Sequence, residues 1–304
     1  MPNTLVHLGV QGLATRAAWR GADLAWIYAG CVIPDLPWIL RRAVPAVVPS
    51  VNLLDWHLHT AVQASFVFCL VLSAAIALLA RDSRRVFLLL AATSLAHLLL
   101  DTVEIKWDNG IHLLAPFSWW TLSLGWIWPE SPWIHALTAA GLVAVLAQWR
   151  SATRGPPLLR RPAPARAAAA AALAAAWMVL PAVWTGALEA SGMQDVATLR
   201  DLAGRVGRPV VLDRVPLLHG AAEDLAIAID GSRLALEGFR GAGDGLVSVR
   251  GTFTAPDRVR VDEVRVHPAG QRDLQTVAGL GLAAVVVLLR LVRRPEREDS
   301  GRAA

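Results

Sequence analysis

Long apolar runs broken by short arginine-bearing connections fill the first half of the chain and return at its end. Spans can be drawn at 4–18, 21–40, 61–80, 86–103, 133–149, 167–188 and 275–292. Several approach the ~20 residues that cross the hydrocarbon core of a bilayer. Residues 190–273 differ in kind: hydropathy falls, charges alternate, and strand-like runs stand at 209–212, 225–229, 245–251 and 259–266. The last alternates valine with charge, as a half-buried strand does. The predicted fold is mainly α, a polytopic helical membrane bundle carrying a small extracytoplasmic all-β domain.

The predicted organisation is a helical membrane domain over 1–149, a Pro- and Arg-rich cytoplasmic linker over 150–166, and a transmembrane helix over 167–188. The β domain over 190–273, a transmembrane helix over 275–292 and a cytoplasmic tail over 293–304 complete it. Five tryptophans between Glu104 and Pro132 predict a partly helical cap in the headgroup layer, since indole rings favour that depth.

Composition agrees with a membrane protein, being 55% hydrophobic with 13 Trp. The net charge of +5 is almost all arginine, Lys106 being the only lysine. Arginine clusters at 16–20, 81–85, 150–166 and 293–297 punctuate the spans. If all four are cytoplasmic, seven spans close the alternation with the N-terminus outside and the C-terminus inside. Arg41 and Arg42 break the pattern and are expected to meet acidic headgroups or substrate. Met1-Pro2-Asn3-Thr4 carries no basic n-region, so no removable signal peptide is expected. The two cysteines, Cys31 and Cys69, lie inside apolar segments, which excludes a disulfide framework or a cysteine-based zinc knuckle. Any metal site must use histidine and carboxylate.

Within the fourth span, His97 and Asp101 are four residues apart and share one helix face. Polar groups in such a segment are costly and turn inward to partners. An imidazole beside a carboxylate suits a divalent ion, although an interhelical hydrogen bond or a buried ion pair fits the pair alone equally well. The predicted orientation brings His7, Asp35, His57, His59, His97, Asp101 and His112 to one membrane face, where scatter would leave about half on the other. That convergence favours metal.

Met1-Pro2-Asn3-Thr4-Leu5-Val6-His7, then Ile33-Pro34-Asp35-Leu36-Pro37, the pair His59-Thr60 and His97-Leu98-Leu99-Leu100-Asp101 resemble the YdjM-like family of membrane-bound metal-dependent hydrolases. The order of these residues is also similar to that in zinc-dependent phospholipases C. The resemblance covers about the first half of the chain. It implies His7, Asp35, His59, His97 and Asp101 as metal ligands, with His112 a sixth; Asp35, in a short turn between Pro34 and Pro37, is expected as a ligand or a general base. The first histidine of the family's histidine-arginine-glycine run has no counterpart; Leu53-Leu54-Asp55-Trp56-His57 stands in its place, so that either His57 or Asp55 substitutes or a function has changed, and the choice between His57 and His59 as ligand stays open. His135 is followed by Ala139 where a further His-x-x-x-Glu would end, which argues against a three-metal cluster.

The expected activity is hydrolysis assisted by one or two zinc ions at the outer face of a bacterial inner membrane, on a phosphodiester or lipid-like substrate, with Asp35 or Asp101 accepting the proton. The alternative is a non-enzymatic envelope protein whose polar cluster is structural and whose β domain binds a protein partner. A transporter is the weaker third reading, because the ligands crowd one face and no inverted repeat is evident. Residues 247–253 and 259–266 resemble the later strands of OB-type barrels. Phe239 and Phe253 are the domain's only aromatics, too few for a base-stacking platform, so nucleic acid is not an expected partner. Membrane lipids are.

Overall fold

The computed structural model describes residues 3–108, 110–268 and 270–293. Met1, Pro2, Arg294, Arg297 and the rest of the predicted tail lie outside them. The chain builds α1 (Thr4–Ala18), α2 (Leu24–Val32), a 3-10 turn (Ile33–Asp35), α3 (Leu36–Val47), α4 (Leu53–Gln63), α5 (Phe66–Leu79) and α6 (Ser83–Asp101). An irregular connection follows, then α7 (Pro132–Thr153), α8 (Pro164–Val179), and the short α9 (Thr185–Ala190) and α10 (Val196–Arg200). Strands β1 (Pro209–Leu218), β2 (Leu225–Ile227), β3 (Arg233–Glu237), β4 (Gly245–Ala255) and β5 (Arg258–His267) precede α11 (Gln271–Leu291).

Local chemistry sets the helix starts. Side chains of Asn3, Asp23, Asn52 and Asp82 accept from backbone N–H groups two or three residues on, at 3.0–3.3 Å. The break between α1 and α2 is one such point: Trp19 ends one helix and Asp23 caps the next. Here the structure corrects the seven-span expectation. The predicted first span is the 15-residue α1, and the second divides into the nine-residue α2, the Pro34 turn and α3. Among the described residues four helices are long and apolar enough to cross a membrane: Ser83–Asp101, Pro132–Thr153, Pro164–Ala190 and Arg272–Leu291. A fifth is added if α4 and α5, bent by 71°, count as one.

Small residues let the helices meet closely. A Cβ on Gly9 of α1 would lie 2.2 Å from Cα of Gly141 in α7, and one on Gly30 of α2 would lie 1.9 Å from Oγ1 of Thr93 in α6. Backbone-to-backbone approach of this kind maximises dispersion contact between apolar helices. Ser94 Oγ then donates to the Gly30 carbonyl at 3.1 Å, fixing α6 against α2.

The two ends of the bundle differ. At one, Arg16 donates to Ser151, Arg85 to the Gly21 carbonyl, and Arg293 to the carbonyls of Thr153 and Gly155. Arg290, 1% exposed, donates there to both Asp23 oxygens (2.6 and 3.2 Å) and to the carbonyls of Ala152 and Pro156. At the other end Asn3 Nδ2 donates to Thr138 Oγ1 (2.6 Å) and Gln275 Oε1 (2.8 Å), tying α1 to α7 and α11.

The strands form a closed barrel in the order β1-β2-β3-β5-β4, with β3 and β5 parallel and every other pair antiparallel. Val210, Leu212, Leu234, Leu236, Val247, Val249, Phe253 and Val259 fill it. The barrel is tied to the 102–131 connection: Arg250 lies over Trp107 and Arg265 over Trp128, 4.5 and 3.6 Å from the ring centres.

Candidate metal centre

Four of the expected residues meet between α1, α6 and the 3-10 turn. His7 comes from the second turn of α1, His97 and Asp101 from the last turns of α6, and Asp35 from the turn that Pro34 and Pro37 frame. His7 Nε2 is 3.2 Å from Asp101 Oδ1. His97 Nε2 is 3.5 Å from Asp35 Oδ1 and 3.7 Å from Asp101 Oδ2. The two imidazoles stack with centroids 3.7 Å apart and planes 7° from parallel. All four residues are buried, His7 and His97 completely, Asp101 to 2% exposure and Asp35 to 4%.

Burying this many polar groups is costly unless each is satisfied. Here they are not. His7 Nε2, both ring nitrogens of His97, Asp35 Oδ1 and Asp101 Oδ1 are buried and make no hydrogen bond of good geometry with the described protein atoms. Ligand atoms of His7, His97 and Asp101 lie within 4.8 Å of one another, so one divalent ion could draw on all three. Two neutral imidazole nitrogens and carboxylate oxygens suit zinc in composition. The residues present therefore fit the group that the resemblance implies.

Two supporting residues carried no warning in the sequence. Thr4 Oγ1 donates to Asp35 Oδ2 at 3.5 Å. The Gln11 amide, with its nitrogen toward α6, donates to the Thr93 carbonyl at 2.8 Å, and its oxygen accepts from the His97 backbone N–H at 3.3 Å. Both lie one turn from His7 on the same face of α1, a spacing that flags them once His7 is chosen.

The remaining expected ligands are placed elsewhere. His59 stacks on Trp56, with centroids 4.9 Å apart, and is not among the residues brought together. His57 is buried with its ring 6.3 Å from that of Trp38. His112 sits in the 102–131 connection, its Nδ1 3.1 Å from the Trp119 carbonyl. Burial lowers its pKa against the opposing pull of that carbonyl. It lines a cavity of about 180 Å³ with Lys106, Thr121, Ser123 and Met193, apart from the four-residue cluster. One α-helical face places residues four apart together; it says nothing about which loop histidine folds back. Arg42, expected to meet headgroups or substrate, lies 4.0 Å from Asp273, and Arg41 lies over Trp38.

No protein-family model matches the chain, and no curated protein or solved structure matches it.

Proposed function

We propose that the protein is a membrane-bound, metal-dependent hydrolase whose centre is held by His7, His97 and Asp101, with Asp35 as the catalytic base. The observation that carries this reading is the set of buried imidazole and carboxylate atoms left without hydrogen bonds, an arrangement whose cost a divalent cation would offset. Zinc is the ion we assign from the two histidines, and the resemblance to YdjM-like proteins points the same way. When bound, such an ion supplies Lewis-acid polarisation of a phosphoryl or acyl oxygen and makes water more acidic. Asp35 stands 3.5 Å from His97 on a turn outside both ligand helices, placed to take a proton from attacking water, and Thr4 orients its second oxygen. Gln11 holds α6 in register so that His97 keeps its place opposite His7.

The arginine-rich end is the cytoplasmic end in this reading, by the positive-inside rule, which puts the centre and the barrel outside a bacterial inner membrane. Exposed Phe117, Trp120, Trp126 and Trp133, at 63–85% exposure, suit the headgroup layer on that side and direct the substrate assignment toward a lipid-like phosphodiester. The strand order of the barrel supports the OB-like assignment.

A second reading rests on one specific observation. The centre is at most 4% exposed, and closed metal sites are structural where catalytic ones keep an open position. In that reading the ion pins α1 to α6 in a non-enzymatic envelope protein whose barrel takes a protein partner.

Phosphodiesterase assays on phosphatidylglycerol vesicles and on a soluble chromogenic diester separate the two. The hydrolase reading expects turnover abolished by chelator, restored by zinc, and lost in Asp35→Asn with zinc retained. A zinc-loaded protein that hydrolyses neither substrate, and whose melting temperature falls on chelation, favours the structural reading.

A further inference from the structure

The connection between α6 and α7 doubles back on itself and frames a cavity. Ile111 and Leu122 exchange backbone hydrogen bonds at 2.9 Å in both directions, Ile105 N–H donates to the Ile127 carbonyl at 2.9 Å, and Trp126 N–H donates to that of Val103 at 2.8 Å. Chain paired in this way turns alternate side chains to opposite sides. Lys106, Asp108 and His112 come from one limb and Thr121 and Ser123 from the other, and with the 191–193 turn they line the cavity of about 180 Å³. Gly110 permits the approach of the limbs, since a Cβ there would fall 2.2 Å from Thr121 Cγ2.

Counting donors and acceptors shows what the protein leaves unspent. Lys106, half-buried and the only lysine of the chain, makes no hydrogen bond or salt bridge with the described residues. The Asp101 carboxylate feels its charge without touching it. Ser123 Oγ likewise makes no hydrogen bond with the described residues, whereas Ser191 Oγ is spent on the Leu188 carbonyl at 2.7 Å. His112 Nδ1, 3.1 Å from the Trp119 carbonyl, must carry the proton that it donates there. It then cannot accept from Thr121 Oγ1 at 3.5 Å, so that hydroxyl proton is free as well. Burial favours the neutral ring, which leaves Nε2 as an acceptor. Asp108, the one acid on the wall, is exposed and is partnered within the protein.

One ammonium and two hydroxyl donors beside one neutral acceptor suit an anion that carries its own hydroxyl. The connection that holds them also carries Phe117, Trp120 and Trp126, 63–85% exposed, and Trp120 directly precedes Thr121. Aromatic rings of this kind favour the headgroup layer, where phosphate esters are the anions at hand.

We propose that this cavity binds a phosphate ester of a polyol, either the phosphoglycerol headgroup of an anionic lipid or a soluble glycerol phosphate. Lys106 pairs with the phosphate, Thr121 and Ser123 donate to its oxygens, and His112 Nε2 accepts from a glycerol hydroxyl. The place of the cavity in the outer headgroup layer rests on the membrane orientation proposed above. Binding itself requires neither the ion nor hydrolysis.

The single lysine makes the test specific. Reductive methylation with isotope-labelled formaldehyde, in full-length protein in maltoside micelles, puts a magnetic-resonance probe on Lys106 and on the N-terminal amine alone, and it keeps the lysine charge. The Lys106 signal should shift and saturate with glycerol phosphate, with short-chain phosphatidylglycerol, or with both. Saturation by the lipid alone assigns the headgroup, and saturation by the soluble ester alone assigns a soluble ligand. Ser123→Ala and Thr121→Val should each weaken binding roughly tenfold, the effect of losing a hydrogen bond to an ionised group. Lys106→Gln should abolish it in equilibrium dialysis with the ligand that saturates. A shift that never saturates, one that sodium sulfate reproduces, or unchanged binding in Lys106→Gln overturns the proposal. His97→Ala, which loses the ion in the hydrolase reading, should bind as wild type does, and Lys106→Gln should keep its zinc. Failure of the anion site and failure of the hydrolase reading are thereby told apart.

Discussion

Two histidine–carboxylate clusters sit within one molecule, and they differ in whether the imidazole nitrogens have partners. At the junction of barrel and connection both His267 nitrogens have partners at 2.8 Å, and Ser248 uses its proton and its lone pairs. Between α1 and α6 the contacts run from 3.2 to 3.7 Å, and five nitrogen or oxygen atoms lack a hydrogen bond. The first cluster gives its imidazole both partners, although Glu130 Oε2 and Arg214 Nε and Nη1 are left without hydrogen bonds, and it can be read as a fastener. In the second the imidazole nitrogens themselves are unpartnered beside carboxylate oxygens that are also unpartnered, and that donor set, buried to 4% exposure or less, is what points to a cation.

The largest effect should come from removing a ligand from the incomplete cluster. Asp101→Ala takes the carboxylate from both imidazoles and should abolish stoichiometric metal binding, read by equilibrium dialysis. Metal retained at wild-type affinity would erase the contrast between the clusters. Glu130→Ala should cost about 3 kcal/mol of stability in denaturant titrations, because it leaves buried His267 and part-buried Arg214 without their carboxylate, while metal content stays unchanged.

Gly141→Ala tests the framework rather than either cluster. Its new Cβ would fall 2.5 Å from the Leu5 carbonyl oxygen, forcing α1 from α7 at a cost of about 1–3 kcal/mol and weakening metal binding through His7. Acid should separate the clusters more gently. Glu130 is held at about 2, below the ordinary carboxylate range, so its contribution is intact above that range and is lost as pH falls from about 4.5 toward 2. The contact of the connection with the barrel through Glu130 should weaken over that interval in a tryptophan-fluorescence titration, and Glu130→Gln should remove the dependence. The smallest effect is expected from His112→Gln, which should leave metal stoichiometry as it is; loss of metal would return that loop histidine to the centre.

How much of this the sequence could disclose follows from the range of the interactions. His97 and Asp101 were legible because the helical period alone puts them together, and Asp35 because Pro34 and Pro37 frame a turn. Pairing them with His7 needed an orientation argument from the arginines, and the structure gathers Arg16, Arg85, Arg290 and Arg293 at one end. His59 and His112 were misplaced because nothing in local pattern says how α4 rotates or where a connection folds. The division of 21–40 into α2, a turn and α3 was hidden by continuous hydropathy, although Asp23 and Pro34 mark both breaks. In the barrel, β1, β2, β4 and β5 follow from apolar runs and alternation. The five-residue β3 was missed, since Arg233-Leu234-Ala235-Leu236-Glu237 is short and lies directly beyond the Asp230-Gly231 turn. The Ser248–His267–Glu130 cluster was not legible at all: its residues come from three segments with no shared spacing, and His267 alone reads as a surface residue.

The central claim is that the α1–α6 cluster holds an ion, and elemental analysis of the purified full-length protein tests it most directly. The account expects one or two zinc ions per chain in wild type and none in His97→Ala, with both proteins folded by circular dichroism. A folded wild type free of divalent metal, even after incubation with zinc and removal of excess, would contradict it.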